Sequence, residues 1–158
     1  MINKKYNFSY TKCLKKKIFY PINTHELKTL VNEKYTIVGN FRSYNDSFIG
    51  KKKHISLSNF NKILKIDFKK KIVEVESGVI LKDLNSEILN KKLMLECMPG
   101  CKFVTVGGMI ANNISGKLLK NNNLKKYILS LKLINNNKLI ECSSYKNKKL
   151  FDLTINGK

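Results

Sequence analysis

Val104-Thr105-Val106-Gly107-Gly108-Met109-Ile110-Ala111-Asn112-Asn113-Ile114-Ser115-Gly116-Lys117 is the stretch around which the rest of the chain is organised. Its first three residues are β-branched and predict an extended segment. The pair Gly107-Gly108 then predicts a turn with φ > 0, or a place where a ligand lies against bare main chain. From glycines alone, a tight turn inside a core fits equally well. A second glycine- and polar-rich stretch, Gly39–Ser47, stands at a similar strand end upstream and favours the ligand.

Length and composition bound what surrounds these two stretches. A chain of 158 residues with 42% hydrophobic content suits one folded domain with a sizeable core. No run of about 18 apolar residues marks a membrane span, and the N-terminus Met1–Tyr6 has no apolar segment behind its charge. The cytoplasm is therefore the expected compartment. The formal charge of +20 invites a nucleic-acid reading, but the lysines fall in short runs at turns and arginine is nearly absent, with Arg42 standing out. Readers of base edges rely on arginine forks, so no nucleic-acid partner is expected. Attraction to anionic lipid surfaces, as a peripheral protein, stays open. Cys13, Cys97, Cys101 and Cys142 match no redox or zinc spacing, and His25 and His54 stand apart. Free thiols in a reducing compartment and no metal site are the expectation.

In chain order, residues 1–16 form a basic, loosely attached lead-in. Ile18-Phe19-Tyr20 ends at Pro21, and Asn23 or Thr24 caps a helix to about Glu33 with Leu27, Leu30 and Val31 on one face. Tyr35–Val38 is a strand running straight into Gly39–Ser47, and His54–Leu57 alternates like another strand. Ile63–Phe68 and Ile72–Glu76 form a hairpin across Lys69-Lys70-Lys71. Leu81, Leu84, Ile88 and Leu89 recur at helical spacing, and Leu93–Glu96 is extended. After a polar loop, Leu118–Lys126, the strands Ile128–Ile134 and Lys138–Cys142 pair across Asn135-Asn136-Asn137, and Tyr145–Leu153 is a short helix. One mixed α+β domain fits these pieces.

In this order the pieces resemble the FAD-binding (PCMH-type) domain of the vanillyl-alcohol oxidase / p-cresol methylhydroxylase flavoprotein family, most like its decaprenylphosphoryl-ribose oxidase and sugar-lactone oxidase branch. The likeness rests on G-x-x-R-S-Y-x-D (Gly39 to Asp46), V-x-V-E-x-G (Val73 to Gly78) and P-G-x-x-x-V-T-V-G-G-x-I-A (Pro99 to Ala111). It continues through Asn113–Lys117 and L-F-x-x-T-I (Leu150 to Ile155). The resemblance implies an α+β PCMH-type domain of two small α/β subdomains over residues 17–158, incomplete at its C-terminal end and without the substrate-covering cap domain. It implies FAD as cofactor. Ile37 and Val38 would lead into a pyrophosphate loop, Gly39, Asn40, Phe41, Arg42, Ser43, Tyr44, Asn45, Asp46 and Ser47. Gly100, Thr105, Val106, Gly107, Gly108, Asn112, Asn113, Ile114 and Ser115 would line the flavin. Main-chain N–H groups with small side chains suit a pyrophosphate, because they supply positive potential without one matched cation per charge.

Three departures shape the expectation. Arg42 stands where many relatives carry the histidine that bonds FAD covalently, so the flavin is expected to be non-covalent. Asn40, Phe41 and Asn45 stand where relatives often carry small residues or glycine, and Phe41 and Asn45 would poorly tolerate the backbone conformation that implies. Ser115 replaces the histidine of the polyprenyl-sugar branch. The implied function is the FAD-binding portion of an oxidoreductase acting on CH–OH groups of a sugar, sugar lactone or lipid-linked sugar. Its catalytic residues are unassigned, and a partner chain would supply the cap. A truncated non-catalytic remnant, half of a split enzyme, and a basic nucleic-acid or membrane-surface module are the alternatives.

Overall fold

Short apolar runs separated by lysine- and asparagine-rich turns cannot build one wide sheet, and the chain folds instead around several small ones. The computed structural model describes residues 3–31, 35–50, 53–116 and 123–156. Lys117, Gly157 and Lys158 lie outside the described residues, as do the predicted helix end at Glu33 and most of the asparagine-rich loop.

The described residues begin with an antiparallel hairpin, β1 (Asn3–Tyr6) and β2 (Cys13–Lys16). Loose attachment is not what these residues show. Leu14 is 1% exposed and packs with Ile18, Val38 and Phe48, so the basic face of the hairpin stays in solvent while one leucine anchors it. β3 (Ile18–Phe19) follows, then α1 (Thr24–Leu30). Asn23 is the N-cap: its side chain accepts from the Glu26 backbone N–H at 2.9 Å, and the Glu26 carboxylate accepts from the Ile22 N–H at 2.9 Å.

β4 (Thr36–Val38) and β5 (His54–Ser56) complete a three-stranded parallel sheet in the order β3-β5-β4. The alternation predicted for β5 does not hold. His54, Ile55 and Ser56 are all buried, because the central strand of a parallel sheet is covered on both faces.

β6 (Ile63–Asp67) and β7 (Ile72–Val75) form the predicted hairpin, with Lys71 at φ 56 in its turn. Their apolar face packs on Val79, Leu84 and Ile88 of the following segment and α2 (Leu81–Leu89). Leu93–Glu96 forms no strand. α3 spans Val106–Ala111, and a 3-10 turn, Leu124–Tyr127, packs beside it on Leu81, Cys97 and Met109. β8 (Ser130–Asn135) and β9 (Lys138–Ser143) pair across Asn136 and Asn137, at φ 46 and 60. Two successive residues at positive φ are the requirement of a type I′ hairpin turn, and asparagine meets it well. α4 (Lys148–Ile155) closes on this hairpin through Phe151 and Ile155. It starts three residues later than expected, because the Ser143 hydroxyl accepts the Tyr145 and Lys146 N–H groups and Asn147 sits at φ 50. Among the described residues no helix is long and apolar enough to cross a membrane.

Candidate functional site

The loop after β4 leaves the carboxyl end of a parallel strand, the end at which open α/β sheets present ligand sites. Val38 points into the core and Ile37 is half exposed. Gly39 then passes so close to Thr105 that an added Cβ would lie 2.5 Å from its hydroxyl oxygen. The Asn40 carboxamide donates to the Phe103 carbonyl at 2.9 Å, and the Arg42 guanidinium lies over the Phe103 ring at 5.9 Å. The two stretches singled out in the sequence are therefore neighbours through Gly39–Arg42 on one side and Phe103–Thr105 on the other. Asn45, Asp46 and Ser47 close the loop locally: Asn45 accepts from the Ser47 N–H at 3.1 Å and the Asp46 carbonyl from Ile49 at 2.7 Å.

Phe41 adopts φ 54, the left-handed conformation foreseen as awkward there, and Asn45 does not. A non-glycine residue gives up about 1–2 kcal/mol in that region. The Phe41 ring offsets this by packing edge-on against Phe48, 5.8 Å between centroids, over the Leu14–Val38 core. The N–H groups of Asn40, Phe41, Arg42, Ser43 and Tyr44 meet no acceptor among the described residues. The Arg42 Nε is buried and likewise unpartnered. Lys5 lies 5.7 Å from the Phe41 ring and Lys102 5.6 Å from the Phe103 ring, so cations flank the loop. Unused donors and positive charge together are what an anion site requires.

The second stretch is built on the opposite principle. Thr105 is extended and forms a lone antiparallel bridge to Ile80, but Val106 already begins α3, so the predicted extended segment ends at Thr105. The turn with φ > 0 predicted at Gly107-Gly108 is absent, because both residues are helical. Neighbours fill the helix's first donors: Val106 N–H donates to Val79 O at 2.8 Å, Gly107 N–H to Ser77 O at 2.8 Å, and Gly108 N–H to the Thr105 hydroxyl at 3.1 Å. Gly107 is needed for close packing, since a Cβ there would stand 2.8 Å from the Ser77 Cβ and 2.9 Å from its carbonyl oxygen.

α3 stops in a Schellman motif. Asn113 sits at φ 42, its N–H donates to Ile110 O at 2.9 Å, and the Ile114 N–H donates to Met109 O at 3.2 Å. Met109 and Ile114 share one apolar cluster, the contact that accompanies this cap. Asn112 bonds back to Gly108 O at 2.8 Å, and Ser115 bridges to Asn123. The Asn113 side-chain oxygen is buried without a partner among the described residues. Gly100 is exposed.

Behind the loop, the Gly50 N–H donates to His54 Nε2 at 3.1 Å while Lys16 Nζ donates to Gly50 O at 2.9 Å. Burial, reinforced by the Lys16 charge, pushes the His54 pKa below the ordinary imidazole value and favours the neutral ring. Burial also raises the pKa of the Cys97 and Cys142 thiols, which removes them as nucleophiles. All four cysteines are free.

Sequence reasoning missed Asn7, Phe8, Ser77 and Phe103. Each acts largely through main-chain bonds to residues far along the chain, such as Asn7 to Tyr44 O across 37 positions. No local pattern announces such contacts.

Residues 18–143 match a family model described as an FAD binding domain. L-gulonolactone oxidase of Bos taurus is 27% identical over 146 residues, covering 88% of this chain and 33% of that protein. The Mus musculus enzyme of the same name matches with the same identity and coverage. D-lactate dehydrogenase of Anaerostipes hadrus is 44% identical over 62 residues, 39% of this chain and 13% of that protein. The chain thus spans about a third of the length of the gulonolactone oxidases it matches.

Proposed function

We propose a function from one premise, that this chain belongs to the family of FAD-binding domains: it is the FAD-binding portion of a flavin-dependent oxidoreductase acting on a CH–OH group of a sugar, sugar lactone or lipid-linked sugar. The observation that carries this reading is the donor-rich loop at Asn40–Tyr44, with Arg42 Nε buried and unpartnered among the described residues, set against the Phe103–Thr105 segment. A pyrophosphate would take its contacts from the loop amides, Arg42 and Ser43. Val106–Gly108 and Asn112–Ser115 would supply wall rather than anion contacts, because the helix-start amides of Val106–Gly108 and the cap amides of Asn112–Ile114 are already used. The division into two small α/β subdomains, one bearing the loop and one bearing α3, belongs to this proposal.

When bound, the flavin would accept a hydride from the alcohol carbon, and the protein would supply binding and orientation. Arg42 would add a fixed cation at the pyrophosphate, held over Phe103 rather than spent on a carboxylate. With arginine at that position, no side chain there forms a carbon–nitrogen bond to the flavin, so FAD is held non-covalently. The remainder of the protein, or a partner chain, would supply the substrate-covering domain. Lipid-linked substrates suit the chain's charge of +20, which would draw it to an anionic membrane surface from the cytoplasm.

The D-lactate dehydrogenase match favours a second reading of the substrate within the same chemistry, a small 2-hydroxy acid. Both readings begin with one experiment. The purified chain is expected to be yellow, and acid precipitation should leave the flavin in the supernatant. Flavin retained in the pellet would refute the non-covalent assignment. A colourless protein that cannot be loaded with FAD would refute the cofactor assignment.

A further inference from the structure

We propose that the N-terminal hairpin is a clamp that pre-sets the cofactor loop, with Asn7 as its positioning residue. The inference rests on the FAD reading above and deepens it. Asn7 directly follows β1 and is 1% exposed. Its side-chain oxygen accepts the Lys12 N–H at 3.1 Å, which fixes the hairpin's own turn. Its nitrogen donates to Tyr44 O at 2.9 Å, with Ser9 and Thr11 hydroxyls at 2.9 and 3.1 Å completing its surroundings. The Phe8 N–H donates to Ser43 O at 3.0 Å, and the Phe8 ring meets the Tyr44 ring edge-on at 5.1 Å. Two successive loop carbonyls are thus pinned by one hairpin tip.

A trans peptide is planar, with its C=O and N–H pointing in opposite directions. Pinning Ser43 O and Tyr44 O toward the hairpin therefore aims the N–H groups of Tyr44 and Asn45 away from it. Neither N–H has an acceptor among the described residues. The hairpin consumes these two acceptors and leaves the donors behind them, the polarity a pyrophosphate requires. It also fixes the loop before the ligand arrives, so that ordering is not subtracted from binding.

Asn7→Asp keeps the oxygen that accepts from Lys12 and removes the donor to Tyr44, and Leu14→Ala loosens the hairpin's anchor without touching either carbonyl. FAD affinity of the full chain is read by flavin fluorescence, and loop order by hydrogen exchange at Tyr44 and Asn45 in the flavin-free protein. In Asn7→Asp the expected result is at least tenfold weaker FAD binding with faster exchange at those two amides, and a melting temperature above that of Leu14→Ala. Unchanged affinity and exchange in Asn7→Asp would overturn the proposal. So would an equal loss of affinity in both variants that tracks their melting temperatures, since the hairpin would then only stabilise the fold. If the wild-type chain takes no FAD, the cofactor reading fails separately. The clamp then stands on faster exchange in Asn7→Asp and is overturned by its absence.

Discussion

Gly39–Ser47 and Thr105–Ile114 look alike in sequence, each a strand end running into glycine, small and polar residues, yet the fold uses them in opposite ways. The loop satisfies few of its own groups. Its Ser43 and Tyr44 carbonyls are held by Phe8 and Asn7, and its N–H groups from Asn40 to Tyr44 meet no acceptor among the described residues. The second stretch satisfies nearly everything within itself and its immediate support: Thr105 caps it, Ser77 and Val79 take its first donors, and Asn113 ends it. Glycine content alone does not mark an anion site. What marks it is which donors remain after the protein has used its own.

Four substitutions or conditions would break or sharpen this contrast. The largest effect is expected from Gly107→Ala, whose new methyl would strike the Ser77 backbone. It should destabilise the chain by about 1–3 kcal/mol in urea unfolding, the range for overpacking. A wild-type midpoint would mean that α3 does not press on Ser77. Next is Arg42→Ala, on the loop side, which should weaken FAD binding roughly tenfold, or about 1.4 kcal/mol, with little change in unfolding midpoint. Equal binding by titration would remove the loop's cation from the site.

Thr105→Ala removes the acceptor for the Gly108 N–H and should lower stability by about 1 kcal/mol, while Thr105→Ser should recover most of it. If both variants melt alike, the cap is not what holds α3. The smallest effect concerns the loop's far end. The His54 pKa is depressed in the fold, so an unfolded chain binds this proton more readily. Stability contributed by the neutral ring is complete above the ordinary value of 6.5 and is lost as pH falls below it toward the folded-state value. Protonation would also end Nε2's acceptance of the Gly50 N–H. Melting curves from pH 8 to 5 should show this loss in the wild type and a flatter profile in His54→Gln. Identical profiles would clear His54 of any part in holding the loop.

How much of this was legible beforehand depended on how far each residue's partner lies along the chain. The hairpin turns at Lys69–Lys71 and Asn136–Asn137, the Asn23 cap and the α2 periodicity are set by neighbours a few residues away, and they were readable. The strain at Phe41 was also readable, because the positive φ belongs to the loop itself. The helix at Val106 was not. Three β-branched residues favour an extended chain, and the carbonyls of Ser77 and Val79 override that preference by taking the first helical donors. The full burial of β5 was hidden for a similar reason, since its central place between β3 and β4 is set by pairings with residues far along the chain.

Alone, the sequence determined the elements whose signals are local, such as the Asn23-capped helix, α2 and the two later hairpins with their turns, and the two candidate stretches, because side-chain periodicity and turn chemistry act over a few residues. Only the tertiary structure decided which stretch keeps free donors. The bonds that settle it join Asn7 to Tyr44 and Asn40 to Phe103, across 37 and 63 positions. A main-chain N–H or C=O is the same in every residue but proline, so whether it is spent or spare is written in packing and not in side-chain identity.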